Sequence, residues 1–216
     1  MPEVFRSEIF DRRLRKSISV AWSIFMRKVG YGIIEINKEA SMQLQYAYIL
    51  QQLLPLLTYY KQEEAKIELE TGVPLNGSAK EIDLLLIGSS TGGVTKIAVE
   101  MKCYRTITSS GGKRGATDIF MKDVYEDLQL LEKYIEAGHA DRGVSLVMND
   151  MKNLVIPRSK KAKCWNYDIS HSAKFNNIHL TTPIGGKEID ITLHRKYEIL
   201  WEQHGKFWFT EIEGKE

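Results

Sequence analysis

Asp83, Glu100 and Lys102 fall in one stretch, EIDLLLIGSSTGGVTKIAVEMKC, which puts an acid on one apolar run and an acid two residues before a lysine on the next. Strand side chains alternate faces, so Lys96, Ala98, Glu100 and Lys102 point one way while Ile97, Val99, Met101 and Cys103 point the other. IDLLLIG reads as a preceding strand, and the residues from Gly88 to Gly93 supply a turn that lets the two strands pair antiparallel, bringing Asp83 beside Glu100. Phosphodiester hydrolysis needs a water made nucleophilic and negative charge neutralised in the transition state. Hard divalent ions held by carboxylate oxygens do both, which makes Asp83 and Glu100 candidate ligands. Lys102 adds a positive point charge that can orient the water or offset developing charge. The competing readings are a Glu100–Lys102 ion pair or a solvated strand face; against them, the acids interrupt apolar strands, where an uncompensated charge is costly.

The surrounding elements must carry these three residues. Residues 38–57 read as a helix with Asn37 as N-cap and Pro55 near its end, and KIELETG (66–72) reads as a first strand. After the second and third strands come the loop TITSSGGKRGATD and a helix over 117–137, whose apolar stripe is Phe120, Val124, Leu128, Leu131 and Ile135. Lys122, Asp123, Glu126, Asp127 and Lys133 lie off that stripe as a solvated face, with Lys122 the member placed to face the site. Gly138 ends the helix, and RGVSLVMND follows as the next strand.

The acid on one strand, the acid-x-lysine on the next and this order of elements resemble the PD-(D/E)xK nuclease superfamily, here reading EID and then EMK, with Ile82 where the family has proline. The resemblance implies an α/β restriction-endonuclease-like fold: a central mixed β-sheet flanked by helices, with an αβββαβ core at about 37–150. A basic N-terminal helical extension (1–36) and a C-terminal β-rich extension (151–216) complete the expected arrangement. It also implies Mg2+ as cofactor, with Mn2+ as a substitute. Asp83 and Glu100 would be ligands and Lys102 the assistant to the water, and an acid on the first helix would complete the site. Glu39 fits that last position best, with Gln43 and Tyr46 on its helical face; Glu35 competes with it, and Glu70 on the first strand is a weaker choice. An N-terminal acid favoured by the helix macrodipole is the plain alternative for Glu39. The implied activity is that of a double-stranded DNA endonuclease leaving 5′-phosphate and 3′-hydroxyl ends, of type II restriction character and homodimeric. A structure-selective repair, recombination or phage nuclease is the alternative within the enzymes, and a catalytically idle nucleic-acid-binding member of the fold the alternative outside them.

Composition bounds the rest. A chain of 216 residues, 43% hydrophobic, suffices for one good core, so a single domain over 1–216 is expected. No apolar run approaches the roughly 20 residues of a membrane span, and no signal-peptide core is visible, so a soluble, cytoplasmic protein is expected. Cys103 and Cys164 lack metal-ligand spacing, and the five histidines lack ligand-like pairing. With a net charge of only +2, contact with nucleic acid must come from local clusters. One is the N-terminal helix from Arg6 to Lys28, with seven basic and two acidic residues, among which Arg12 and Arg15 could track a phosphate backbone; a solvated face is the alternative. Lys113 and Arg114 sit in the loop after the EMK strand, with glycine spacing unlike a nucleotide-cradling loop. Lys160 and Lys161 lie in PRSKKAKCW, suited to phosphate contact. The aromatic-rich C-terminal runs IHLTTPI, KEIDITLH, YEILWEQ and KFWFTEIE alternate as strands that extend the sheet or form a dimer surface. Asp190, in a second EID, is rejected as a ligand because no acid-x-lysine strand follows it.

Overall fold

A computed structural model describes residues 6–107 and 111–216. Its elements run α1 (Phe10–Gly30), α2 (Glu39–Leu53), β1 (Glu64–Leu75), β2 (Ser78–Ser90), β3 (Gly93–Tyr104), α3 (Thr117–Glu136), β4 (Arg142–Asn149), α4 (Lys152–Val155), β5 (Ala173–Leu180), β6 (Ile191–Ile199), β7 (Glu202–His204) and β8 (Phe207–Ile212). Six strands form a mixed sheet in the order β1-β2-β3-β4-β8-β7, in which only β3 and β4 run parallel. β5 and β6 form a separate antiparallel hairpin. The chain is therefore α/β, a mixed six-stranded sheet flanked by helices. Part of the loop read as TITSSGGKRGATD, residues 108–110, lies outside the described residues.

Each face of the sheet carries its own core. On one face α1 and α2 cover Leu84, Leu86, Ile97, Val99, Met101, Val144, Leu146, Met148 and Phe209. The apolar positions of α1 recur at helical spacing, Phe10, Leu14, Ile18, Ala21, Trp22, Phe25 and Val29, and all are buried. Trp22 stacks on Phe25 at 5.1 Å and meets Tyr46 and Phe209 edge-on. On the other face α3 and the β5–β6 hairpin enclose Ala98, Phe120, Val124, Leu128, Leu131, Val147, Leu193, Tyr197 and Ile199.

Several boundaries move from the sequence expectation. Helix α2 is capped at Lys38 rather than Asn37: the Ser41 hydroxyl accepts the Asn37 and Lys38 amides and donates to the Lys38 carbonyl. Gly88 belongs to β2 and not to the turn, because Leu14 and Phe10 of α1 press on its bare Cα. In the C-terminal part, ITLH and YEI form one continuous β6, and the chain breaks at Leu200 and Trp201 before the short β7. The hairpin of β7 and β8 does extend the sheet, whereas β5 and β6 pack over α3.

The turn after β7 locks the C-terminal end of α1. Gly205 has φ +58, and a Cβ there would lie 2.3 Å from the Gly30 carbonyl oxygen, while a Cβ on Gly30 would lie 2.4 Å from the His204 Cβ. Gly205→Ala is accordingly expected to cost about 2 kcal/mol, from the left-handed backbone and the forced separation of helix and turn. Urea unfolding followed by circular dichroism measures it. Among the described residues, no helix is long and apolar enough to cross a membrane.

Candidate active site

β2 and β3 pair from Ser90↔Gly93 to Leu84↔Val99, and there the ladder stops. On the other edge of β2 the register to β1 skips Glu70, which has φ 51, between Leu69↔Leu84 and Thr71↔Ile82. The resulting bend moves Ile82 into the α3-side core while Leu84 lies in the α1-side core. Asp83 sits at the bend, where β2 leaves β3.

The parting of the strands leaves amides of β3 without strand partners, and carboxylates take them. Amides two residues apart on a strand point to the same edge. Asp83 Oδ2 accepts the Met101 amide at 2.7 Å, and Glu39 Oε2, from the first turn of α2, accepts the Cys103 amide at 3.1 Å. The Gln43 side-chain amide, one turn further along α2, donates to the Asp83 carbonyl at 3.1 Å. Two acids from separate elements are thereby fixed along the free edge of β3 by backbone donors.

Glu100 and Lys102 point to the α3 side, as the strand alternation requires. The Lys102 ammonium lies 3.4 Å from Glu39 Oε1 and 3.3 Å from Asp127 Oδ2. The Asp127 contact is an ion-pair distance without hydrogen-bond alignment, and Oδ2 has no hydrogen-bond donor among the described residues. Asp127 corrects the reading of that residue as part of a solvated face: it is buried on α3. Its helical offsets from Val124 and Leu131, three and four residues, put it on their face and were the available signal. Glu100 is 4% exposed, and its Oε1 is buried without a hydrogen-bond partner among the described residues.

Four carboxylates around one ammonium leave the centre short of positive charge. Burial, then the charge of Asp83, then that of Asp127, push the Glu100 carboxyl well above the usual carboxylate range. Burial pushes Asp83 up to about 6 against the pull of the Met101 amide, and burial also raises Asp127. Lys102 shows the converse. Burial acts to lower it, but Asp127, Glu39 and Asp83 together hold its ammonium above the ordinary lysine value. It is a fixed cation in this arrangement. Burial pushes the Cys103 thiol up to about 12, so that thiol remains protonated.

Raised carboxyls, an unpartnered Glu100 oxygen and the adjacency of Asp83 fit a hard divalent cation, since Mg2+ is commonly held by one or two carboxylates with water and phosphate oxygens completing the shell. Asp83 and Glu100 are the residues that would hold it, with Glu39 beside them. Their oxygens do not form a closed cage. Among the described residues, three ligand atoms lie mutually within 4.8 Å only at Glu132, Glu136 and His194, on another part of α3 and on β6.

The other residues singled out from sequence are scattered. Glu35 is exposed and precedes α2, and Glu70 is exposed at the bend opposite Asp83, where its charge acts on Asp83. Arg114 folds back on the end of β3: its amide donates to the Thr106 carbonyl, its guanidinium approaches the Cys103 carbonyl at 3.4 Å and lies 5.4 Å from the Tyr104 ring, and Tyr104 donates to its carbonyl. Lys113, next to it, is exposed. Lys122 is occupied by Asp123 and Glu126 on its own helix. Lys160 pairs with Asp168, and Lys161 is exposed. On α1, Arg12 is exposed, but Arg15 is held by Glu211 and Glu213, and Arg13 is fully buried against Glu63 and the Leu57 carbonyl. The basic face counted from sequence is therefore reduced by two internal ties. Asp190 pairs with His179, away from the acid cluster.

No protein-family profile, curated protein or solved structure matches this chain.

Proposed function

We propose that the chain is a Mg2+-dependent DNA endonuclease of restriction-endonuclease-like fold, and that its centre is Asp83, Glu100 and Lys102 with Glu39. The observation that carries this reading is the meeting of Asp83 with the buried, incompletely bonded Glu100 where β2 leaves β3, with Lys102 two residues along the same strand face. A structural ion pair would leave Glu100 bonded to Lys102, but Lys102 is engaged by Glu39 and Asp127 instead.

A bound Mg2+ would lower the pKa of a coordinated water and screen the phosphate charge. The chain supplies the rest. Asp83 and Glu100 offer carboxylate oxygens, and the Met101 amide fixes the orientation of Asp83. The Lys102 ammonium, anchored between Glu39 and Asp127, presents positive charge to the attacking water or the developing phosphorane. Gln43 braces the backbone at Asp83. Lys113 and Arg114, in the loop after β3, would contact the phosphates flanking the cut.

Two copies of the chain would each cut one strand of a duplex. Incubation of Mg2+-supplied protein with plasmid, phage, branched and single-stranded DNA tests the reading. Discrete duplex fragments with ligatable ends are expected. Selective cutting of branched DNA would point instead to a structure-selective nuclease, and intact substrates in every arm would remove the reading. The paired substitution Lys113→Ala with Arg114→Ala should weaken duplex binding without changing the fold and should lower the salt slope of binding by about 1 to 2. Fluorescence anisotropy across a salt series reads both.

A further inference from the structure

We propose a second metal site, distinct from the acid cluster, formed by Glu132 and Glu136 of α3 with His194 of β6. One ligand atom from each lies within 4.8 Å of the other two. The two glutamates are four residues apart and share a helical face, and His194 reaches them from the hairpin that packs across α3.

The arrangement is prepared from beneath. Glu132 is a buried acid whose two oxygens are held by three donors of β6: Oε2 accepts the His194 amide at 2.8 Å, and Oε1 accepts the Arg195 amide at 3.0 Å and the Tyr197 hydroxyl at 2.7 Å. A carboxylate oxygen accepts two hydrogen bonds, so Oε2 keeps a lone pair while its position is fixed. The same donor set makes Glu132 a tie between helix and hairpin, and that role is compatible with ligation through the remaining lone pair. Glu136 and the His194 ring are exposed and have no hydrogen-bond or ion-pair partner among the described residues. Arg195 lies on the Tyr197 face of β6, opposite the His194 ring; its stem runs along Gly214 and lines the same pocket as Glu132, so it offsets part of the Glu132 charge from beneath.

Two carboxylate oxygens and one imidazole nitrogen suit a borderline divalent ion such as Zn2+, Co2+ or Mn2+, with water in the open positions toward solvent. An ion bound there would clamp β6 to α3, the helix that also carries Asp127. It is a cross-link within the fold, and its existence does not depend on the nuclease reading. Sequence reading left His194 unassigned because its partners lie on another element, about sixty residues earlier.

The test uses Co2+ as probe, followed by its visible d–d absorption, together with the thermal shift on adding Zn2+. Four proteins are compared: wild type, His194→Gln, Glu136→Gln, and the double variant Asp83→Asn with Glu100→Gln. Both surface variants keep the His194 amide that Glu132 accepts, so their metal-free melting temperatures should match wild type. With saturating Mg2+ in every sample to occupy the acid cluster, wild type and the double variant are expected to show the same absorption and the same upward shift, with affinity at least tenfold weaker in His194→Gln and Glu136→Gln. Equal Co2+ affinity in wild type and His194→Gln would overturn the proposal. So would loss of the signal in the double variant, which would place the ion at the acid cluster, or the absence of any Co2+ signal in wild type.

Discussion

On the proposed nuclease reading, Glu100→Gln and Lys102→Ala are each expected to lower the Mg2+-dependent cleavage rate by about 10²- to 10³-fold or more, because each would remove a charge used in holding the metal or stabilising the reacting phosphate. The two should fail differently. Glu100→Gln removes a proposed ligand and should also raise the Mg2+ concentration for half-maximal rate. Lys102→Ala leaves Asp83 and Glu100 in place, so its loss should persist at saturating Mg2+. The lysine variant also leaves Glu39 and Asp127 without their shared cation, so part of its effect will be on stability. Single-turnover cleavage of a supercoiled plasmid, on samples matched by circular dichroism, separates the two. A loss smaller than tenfold in both would mean that these residues do not touch the chemistry.

The second large effect is on stability and its dependence on pH. Asp83 holds its proton up to about pH 6, whereas an unfolded aspartate releases it near pH 4, so the folded state binds more protons across that interval. This contribution is fully present below the unfolded value and is lost as pH rises through the folded one. Glu100 and Asp127, also raised by burial, continue the loss in the same direction at higher pH. Lys102, raised as well, favours the folded state and loses that contribution only above the ordinary lysine range, outside the interval in question. In EDTA the melting temperature should therefore fall from about pH 5 to pH 8. Glu100→Gln should flatten the fall and, at pH 8, melt several degrees above wild type, since a buried charge is replaced by a neutral isostere; about 1 to 2 kcal/mol corresponds to that shift for a chain of this size. Mg2+ should raise wild type toward the variant and leave the variant nearly unmoved. Differential scanning fluorimetry across pH 5 to 9, with EDTA or Mg2+, measures all three. A wild-type melting temperature that rises over this range in EDTA would contradict the electrostatics described here.

The centre of the chain was legible because its signals are local. Alternation placed Glu100 and Lys102 on one face, the polar turn separated two apolar strands, and the order helix, three strands, helix, strand is the order observed from α2 to β4. Glu39, preferred to Glu35, does lie against Lys102. What escaped depends on contacts between distant elements. The bend at Glu70 and Asp83 follows from a left-handed residue on a neighbouring strand, which no pattern in β2 announces. Asp127 falls off the stripe of Phe120, Val124, Leu128, Leu131 and Ile135 and so reads as solvent-facing, although it lies three and four residues from Val124 and Leu131; its burial is tolerated because β3 sets Lys102 opposite it. Arg13 and Arg15 are two of the seven basic residues counted on the N-terminal helix, yet their partners Glu63, Glu211 and Glu213 arrive from just before β1 and from the end of β8 and the residue after it. The C-terminal strand boundaries shifted because alternation runs unbroken through β6, so pattern alone could not show where the chain leaves the hairpin for the sheet.

The most direct measurement is the fate of supercoiled plasmid with Mg2+, wild type beside the Asp83→Asn and Glu100→Gln double variant, at equal folded concentration and low salt, with EDTA as the blank. The account predicts nicked and linear DNA from wild type alone, abolished by EDTA and absent from the double variant. Cleavage that survives the double substitution, or a wild type inert toward duplex, branched and single-stranded DNA alike, would contradict it.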